Sequence, residues 1–380
     1  MSQTNVDYVI VGSTPLAGML AALLAVRHGR RVLHVGQSQS FYRLPRGIDL
    51  SVAPLTRPES WALLGDTASE TLKLVGRIAG RSAWSHVDPI FFAKDPRALE
   101  ALSHMRHMAT GFGVATEPTA TALLAPGHAG ITLRDAVRLN RAVLEPALES
   151  HLQQAGVERI TPQRFTLAPD GSATLTAGDV EFEARQTILA VDDAIFKHLP
   201  KAQCPGPIKT HPSASILATI RQKLAAPLMM DIQSGAILLQ QAETGIAAIG
   251  REDLADFCNR LGHLLGQTRQ IELAGQTSFK TLLTRDGAPA VGRIGGVAPT
   301  LLPAWAWPGY FWSPLWPAGC VAMRLRAKMT GSARGSCPGP NRTRSAIMPP
   351  VSGARPHEIA AQPPARRQDG QLCRKRHRPQ

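Results

Sequence analysis

Three residues near the start of the chain have the types and spacing of a nucleotide-binding turn. Gly12, Thr14 and Ala17 occupy the three positions of the pattern G-x-G-x-x-G/A, in which small residues let the backbone approach a pyrophosphate and let a helix pack on a strand. Thr14 can cap a helix whose first residue, Pro15, needs no amide donor. The N-terminus of such a helix directs its free amides and the positive end of its dipole towards a phosphate. The turn therefore predicts a dinucleotide-binding site.

Two positions depart from the usual pattern. Thr14 replaces the second glycine, and Gly36 stands where an acidic residue, about 20 positions further on, would hold a ribose hydroxyl. A threonine hydroxyl can itself meet a phosphate, Gly18 adds room one residue late, and Gln37 or Ser38 can bond the ribose. The candidate cofactor-binding residues of this region are Gly12, Ser13, Thr14, Pro15, Ala17, Gly18 and Gln37. The departures predict weaker binding than the full pattern gives, and a unit that folds without binding a cofactor stays an alternative.

A strand, a turn, a helix and a second strand must position these residues. The apolar run from Tyr8 to Val11 predicts a strand, and the Ala- and Leu-rich helix that follows is expected to stop at Gly29. Val32 to Val35 predicts the second strand after a short connection. Residues 6–36 thus form the opening βαβ unit of a Rossmann-like fold.

The chain beyond this unit predicts a mixture of strands and helices. Asp95 can cap a helix opened by Pro96. A further helix, or a kinked pair, is predicted from about Asp135 to Gln154, with Pro146 interrupting it. Strands are predicted at 157–160, 165–167, 173–175, 180–182, 187–191, 215–221, 227–232, 236–241, 246–250 and 276–283, with a helix at 253–265. The predicted fold class is α/β, a Rossmann-like domain into which a strand-rich α+β domain is inserted.

The net charge of +14 is concentrated at the end of the chain. Residues 321–380 contain 13 lysines and arginines against Glu358 and Asp369, whereas the first 320 residues contain 29 against 26 acids. From about Pro317 the sequence is rich in Pro, Gly, Ser and Arg without periodicity, which predicts a basic disordered tail at 317–380. This tail is either a segment that contacts nucleic acid or anionic lipid, or the product of a shifted reading frame. The second interpretation is favoured, so no specific nucleic-acid partner is expected.

Other reactive residue types predict no metal site. His104 and His107 lie three residues apart on a predicted helix without a third ligand, and they are interpreted as surface histidines. Asp192 and Asp193 follow a buried strand and are predicted to cap the next helix. Five cysteines without a C-x-x-C pair argue against a disulfide framework or a zinc site. With no apolar run of membrane-spanning length and no secretion signal, a cytoplasmic protein is expected.

Three segments resemble the FAD-dependent oxidoreductases of the D-amino-acid oxidase and glycine oxidase type. Residues 6–36 resemble the FAD-binding start of that family, and TILAVDDA at 187–194 looks like the strand that returns to the cofactor. The segment AGQTSFKTLLTRDGAPAVGR at 274–293 is similar to the family's late motif, an apolar strand followed by T-x-D-G-x-P-x-x-G. The matching residues of this motif are Thr284, Asp286, Gly287, Pro289 and Gly292.

The resemblance implies a flavoprotein. FAD would be the cofactor, Asp286 and Gly292 would lie close to the flavin, and a hydride would pass from a small-molecule amine or amino acid to the flavin. Because the cofactor performs this chemistry, few catalytic side chains are expected and none is assigned. The implied division has 1–50, 131–200 and 284–316 in the FAD-binding domain, 51–130 in a substrate or cap region, and 201–283 in the substrate domain.

Departures from the family keep other functions open. The arginine that in the family follows the late-strand glycine and would clamp a substrate carboxylate is absent, since Gln276 and Thr277 follow Gly275. Where a glycine-rich stretch should follow the late motif, residues 304–315 are AWAWPGYFWSPL. A catalytically inactive relative that acts as a binding protein is therefore the main alternative, and a basic-tailed nucleic-acid binder is a further one.

Overall fold

The computed structural model of the chain describes residues 2–36, 44–54, 58–199, 208–241, 243–265, 271–284, 292–293 and 300–301. The α-helices within these residues are α1 (Pro15–Ala22), α2 (Pro58–Ala79), α3 (Pro96–Gly111), α4 (Arg141–Gln154), α5 (Asp192–His198) and α6 (Leu254–Leu265). The strands are β1 (Ser2–Val11), β2 (Val32–Val35), β3 (Trp84–Val87), β4 (Ile90–Ala93), β5 (Thr116–Pro118), β6 (Ala129–Leu133), β7 (Ala136–Leu139), β8 (Glu158–Ile160), β9 (Arg164–Leu167), β10 (Ala173–Ala177), β11 (Val180–Leu189), β12 (Ile208–Ile220), β13 (Leu228–Asp231), β14 (Ile237–Gln240), β15 (Gly245–Gly250), β16 (Ile271–Thr284), β17 (Gly292–Arg293) and β18 (Thr300–Leu301).

The first sheet has the strand order β17-β18-β11-β1-β2-β8, and the β9–β10 hairpin extends it from the first half of β11. Strands β18, β11, β1, β2 and β8 run parallel to one another, as a sheet built from βαβ units requires, whereas β17 and β10 are antiparallel to β18 and β11. One face packs on α1 and α4 through Ile10, Leu20 and Leu148, and the other packs on α5 through Val9 and Ile195. The central strands are therefore covered on both faces, which explains their nearly continuous apolar sequences.

The second sheet has the strand order β16-β12-β15-β14-β13-β4-β6-β5. Helix α6 covers one face, where Phe257 packs against a core that contains Ile216 and Ala248. The opposite face contributes Met230 and Ile249 to the same core as α1 and α4, so the two sheets share one apolar interior. A small third sheet pairs β3 with β7.

The structure confirms the predicted fold class. Strand β1, helix α1 and strand β2 form the predicted βαβ unit, and both strands lie in a parallel sheet. Asp95 caps α3 as expected, because its Oδ1 accepts a hydrogen bond of 2.9 Å from the amide of Arg97. The predicted hairpin is the β9–β10 pair, and the strand-rich segment between 208 and 284 forms most of the second sheet.

The prediction of a helix from Asp135 is wrong for its first part. Asp135 takes a left-handed conformation with φ of 55°, and Ala136–Leu139 then forms β7, which pairs with β3. Helix α4 starts only at Arg141, and Pro146 lies inside it without interrupting it. A single missing donor is tolerated there because Leu144, Leu148 and Leu152 bury one face of the helix.

Two further elements differ from the sequence prediction. The segments 180–182 and 187–191 were expected to be separate strands, but Val180–Leu189 is one strand because its whole length pairs with β1. Helix α2 was not predicted, although Trp61 and Val75 bury one side of it in the shared core. No helix of the described segments is long and apolar enough to cross a membrane. The predicted tail lies outside the described residues.

Candidate functional site

The carboxyl ends of the parallel strands define the candidate site. One residue of each strand lies in a single row across the first sheet, in the order Gly292, Leu301, Leu189, Val11, Val35 and Ile160. The chain leaves β1, β2 and β11 just beyond this row. Ligands of open parallel sheets bind in the crevice outside such strand ends. The row therefore brings the predicted nucleotide turn and the end of TILAVDDA to the same edge.

Gly12 lies in a closely packed part of the predicted turn. Its amide donates a hydrogen bond of 2.9 Å to the Val35 carbonyl, which ties the turn to β2. A Cβ at this position would lie 3.0 Å from Val191 Cγ1 and 3.1 Å from Ala17 Cβ. A side chain at Gly12 would therefore have to displace Val191 and Ala17, so glycine lets β1, α1 and the start of α5 pack closely around the turn.

The start of α1 has the predicted capped geometry. Thr14 is the N-cap, with Pro15 as the first helical residue, and Thr14 Oγ1 accepts a hydrogen bond of 3.4 Å from the Ala17 amide. The Gly18 amide donates to the Thr14 carbonyl at 3.2 Å. Among the described residues no acceptor is found for the amide of Leu16, so the first turn presents this donor together with the positive end of the helix dipole. This end of α1 is suited to an anion.

Gly18 takes a different place from the one predicted. A Cβ on Gly18 would lie 2.8 Å from Leu148 Cδ2, so the missing side chain makes room for α4. It therefore sits in the α1–α4 contact and does not widen the cofactor side of the turn.

Gly36 cannot be replaced by an acid without moving the turn. A Cβ on Gly36 would lie 2.5 Å from the Gly12 carbonyl oxygen and 3.0 Å from Ser13 Oγ. The space in which an acidic side chain would start is thus filled by the turn itself. Close packing of the turn against Gly36 therefore explains why no ribose-binding carboxylate stands at this position.

A buried histidine beneath the turn was not predicted. His34, in β2, is 1% exposed, and its Nε2 lies 2.7 Å from the Gly12 carbonyl oxygen. Burial lowers the pKa of His34 from 6.5 to about 4; the hydrogen bond to Gly12 opposes this change, and the charge of Arg159 adds to it. The ring is therefore neutral near pH 7. A histidine in the otherwise apolar strand VLHV was the sequence signal for a buried polar contact.

Asp192 and Asp193 form different contacts from those predicted. Neither caps α5, whose N-cap is Val191 without a side-chain hydrogen bond. Asp192 is buried, and its Oδ2 accepts a hydrogen bond of 3.0 Å from the Leu282 amide in β16. The prediction failed for Asp192 because its partner comes from a strand that is distant in sequence. Both carboxylates still lie in the first turn of α5, where a helix dipole favours negative charge.

Arg46 joins the two sheets at the same edge. Its Nη1 lies 2.5 Å from Asp193 Oδ2, and its guanidinium lies 5.0 Å from the centre of the Phe279 ring in β16. Arg46 is 36% exposed and Asp193 57% exposed, so water reaches this ion pair. The segment 44–54 thus brings a cation to the carboxyl end of β11.

The remaining candidate residues are only partly described. Gln37 and Asp286 lie outside the described residues. Gly292 begins β17 and lies three strands from Val11 in the row, which is roughly 14 Å at about 4.8 Å per strand. The end of the late motif therefore returns to the first sheet. His104 and His107 are exposed on α3, and no group of three metal-binding side chains occurs within the described part of the chain.

The fold is similar to solved amino acid oxidases over nearly their whole length. NikD, an unusual amino acid oxidase essential for nikkomycin biosynthesis, matches with a TM-score of 0.67 and 15% identity, covering 88% of this chain and 96% of its own. Glycine oxidase from Geobacillus kaustophilus matches with a TM-score of 0.64 and 13% identity, covering 87% and 96% of the two chains. L-proline dehydrogenase from P. horikoshii matches with a TM-score of 0.64 and 14% identity, covering 88% and 96%.

No family model matches the sequence, and no curated protein sequence matches it. The structural matches are enough to establish the architecture. The chain has the fold of the D-amino-acid oxidase and glycine oxidase type, as the resemblance of its three segments predicted.

Proposed function

We propose that the chain is an FAD-dependent oxidoreductase that oxidises the C–N bond of an amino acid or a related amine. The proposal is carried by the turn from Gly12 to Thr14, which leads into the N-terminus of α1. This helix end lies at the ligand-binding edge of a fold shared with amino acid oxidases. The substrate would be a small molecule.

The residues of the turn fit the pyrophosphate of FAD. Gly12 contributes no side chain to the turn, no acceptor for the Leu16 amide is found within the described part of the chain, and the α1 dipole favours the negative charge. By contrast, β2 supplies no carboxylate to the ribose because Gly36 has no room for one. We therefore expect FAD to bind more weakly than in a protein with the complete pattern, with Gln37 as the candidate ribose contact.

The flavin, when bound, supplies a hydride acceptor for the substrate carbon next to nitrogen. The chain's own task is to bind and orient the substrate, and Arg46 is the residue we assign to this task. Its guanidinium is held between Asp193 and Phe279 at the edge where β16 meets the first sheet. A fixed guanidinium is the side chain best suited to a carboxylate, which every amino acid substrate carries. We further propose that the flavin ring lies near residues 286–293.

Flavin binding by matched glycine variants tests the proposal. Wild-type protein is mixed with FAD, and binding is followed by the quenching of flavin fluorescence and by a thermal shift. Gly12→Val should abolish both signals, because its side chain would occupy the turn. Gly262→Val is the control, since a Cβ at Gly262 in α6 meets no atom within 4 Å. Wild-type protein without any FAD response, or equal binding by Gly12→Val, contradicts the proposal.

A further inference from the structure

His34 is a polar side chain in a strand that is otherwise entirely apolar and buried. The four residues of β2, Val32 to Val35, are all buried, and β2 lies between β1 and β8 in the first sheet. Burying an imidazole there has a cost unless its nitrogens are hydrogen-bonded. Its partners therefore indicate what the residue does.

The Gly12 carbonyl determines which nitrogen carries the proton. A carbonyl oxygen only accepts, so at 2.7 Å the His34 Nε2 must be the donor. The unprotonated Nδ1 then faces Arg159 Nη2 of β8 at 3.5 Å. The same Arg159 nitrogen lies 2.5 Å from Glu149 Oε2 on α4, and the two side chains are half-buried. A chain of contacts thus runs from α4 through β8 and β2 to the turn.

The hydrogen bond fixes the orientation of one peptide group. Because the peptide between Gly12 and Ser13 is trans, its carbonyl and its amide point in opposite directions. His34 holds the Gly12 carbonyl towards β2, so the Ser13 amide points away from β2. Gly36 supports the same arrangement, since its lack of a side chain leaves room for the carbonyl oxygen.

We propose that His34 is a positioning residue of the nucleotide site, which holds the Gly12–Ser13 peptide in the orientation that an FAD pyrophosphate meets. Arg159 and Glu149 hold the imidazole in the tautomer that this contact requires. This inference rests on the proposed function, because it assigns His34 to the FAD site at Gly12.

Three variants of the full chain separate positioning from general stability. His34→Leu removes the donor, whereas His34→Gln keeps an amide donor of similar reach. Thr187→Val is the matched control, because Thr187 is a buried polar residue of β11 in the same sheet, and its hydroxyl has no hydrogen-bond partner among the described residues. FAD affinity is measured for each variant, together with its melting temperature without FAD.

We expect His34→Leu to weaken FAD binding about threefold to tenfold, the usual size of one lost hydrogen bond, and His34→Gln to restore most of the affinity. Thr187→Val should bind FAD as the wild type does. If all three variants bound FAD as tightly as the wild type does, the positioning role of His34 would be overturned and the proposed function would stay intact. Wild-type protein that binds no FAD would overturn both.

A spectroscopic measurement needs no stable variant. In protein labelled with 15N-histidine, the nitrogen shifts of His34 should report the Nε2-protonated neutral tautomer at pH 7, with and without FAD. The Nδ1-protonated tautomer or a charged ring would contradict the inference, because neither leaves Nδ1 free to face Arg159.

Discussion

The buried imidazole of His34 should make the folded protein sensitive to mild acid. In the unfolded chain the ring takes up a proton near its ordinary pKa of 6.5, whereas burial lowers the pKa in the folded protein to about 4. Between these two values the unfolded state binds more protons, so the free energy of unfolding falls as the pH falls. At 1.36 kcal/mol per pKa unit the complete effect is about 3 kcal/mol, of which about 2 kcal/mol is lost between pH 7 and pH 5.

The assay compares urea unfolding of wild type and His34→Gln, followed by far-UV circular dichroism at pH 7, 6 and 5. The glutamine side chain keeps a donor for the Gly12 carbonyl but does not titrate, so the variant should lose about 2 kcal/mol less than wild type over this range. His107→Gln, which removes an exposed histidine of α3, serves as the control and should follow wild type. If the free energy of unfolding changed equally with pH in wild type and His34→Gln, the reasoning would be refuted, because His34 would then have the same pKa in the folded and unfolded states.

Three other outcomes are expected. Gly36→Ala should lower the free energy of unfolding by about 1–3 kcal/mol in urea titrations, because its Cβ meets the backbone of the turn. Gly76→Ala in α2 is the control and should raise stability, because its Cβ meets open space. Equal stabilities of the two variants would contradict the packing described for the turn. Asp192→Ala should lower the free energy of unfolding by about 1–3 kcal/mol, because it leaves the buried Leu282 amide unpaired. Asp193→Ala, at an exposed position, should lower it by about 1 kcal/mol or less. A larger loss for Asp193→Ala than for Asp192→Ala would show that the contact with β16 is unimportant. Truncation after residue 320 should leave the melting temperature nearly unchanged and remove binding to heparin, because the remaining residues are close to neutral; a large loss of stability would instead make the tail structural.

The opening βαβ unit could be predicted because its signals are local. All of these signals lie within 30 residues: the apolar run of β1, the cap at Thr14 and the apolar run of β2. Each of them predicts the element that the chain forms there. The late motif could be placed only by resemblance, because its return to the sheet depends on the pairing of β18 with β11.

The missed features depend on partners distant in sequence. Asp192 was expected to cap α5, but it accepts a hydrogen bond from the amide of Leu282, which lies 90 residues away in the sequence. His34 could be marked as unusual in an apolar strand, yet its contacts with Gly12 and Arg159 exist only in the folded sheet. Helix α2 is amphipathic, and its apolar spacing was a signal that could have been used.

The proposed chemistry is tested most directly by anaerobic reduction of the reconstituted protein. Wild-type chain loaded with FAD is mixed, without oxygen, with a panel of amino acids, amines and hydroxy acids, and the visible absorbance of the oxidised flavin is followed. We expect an amino acid or amine to bleach the flavin band, and Arg46→Met to require a higher concentration of a carboxylate-bearing substrate for the same rate. Flavin that binds and is bleached by no member of the panel, while chemical reduction bleaches it, would contradict the proposed oxidation of a C–N bond.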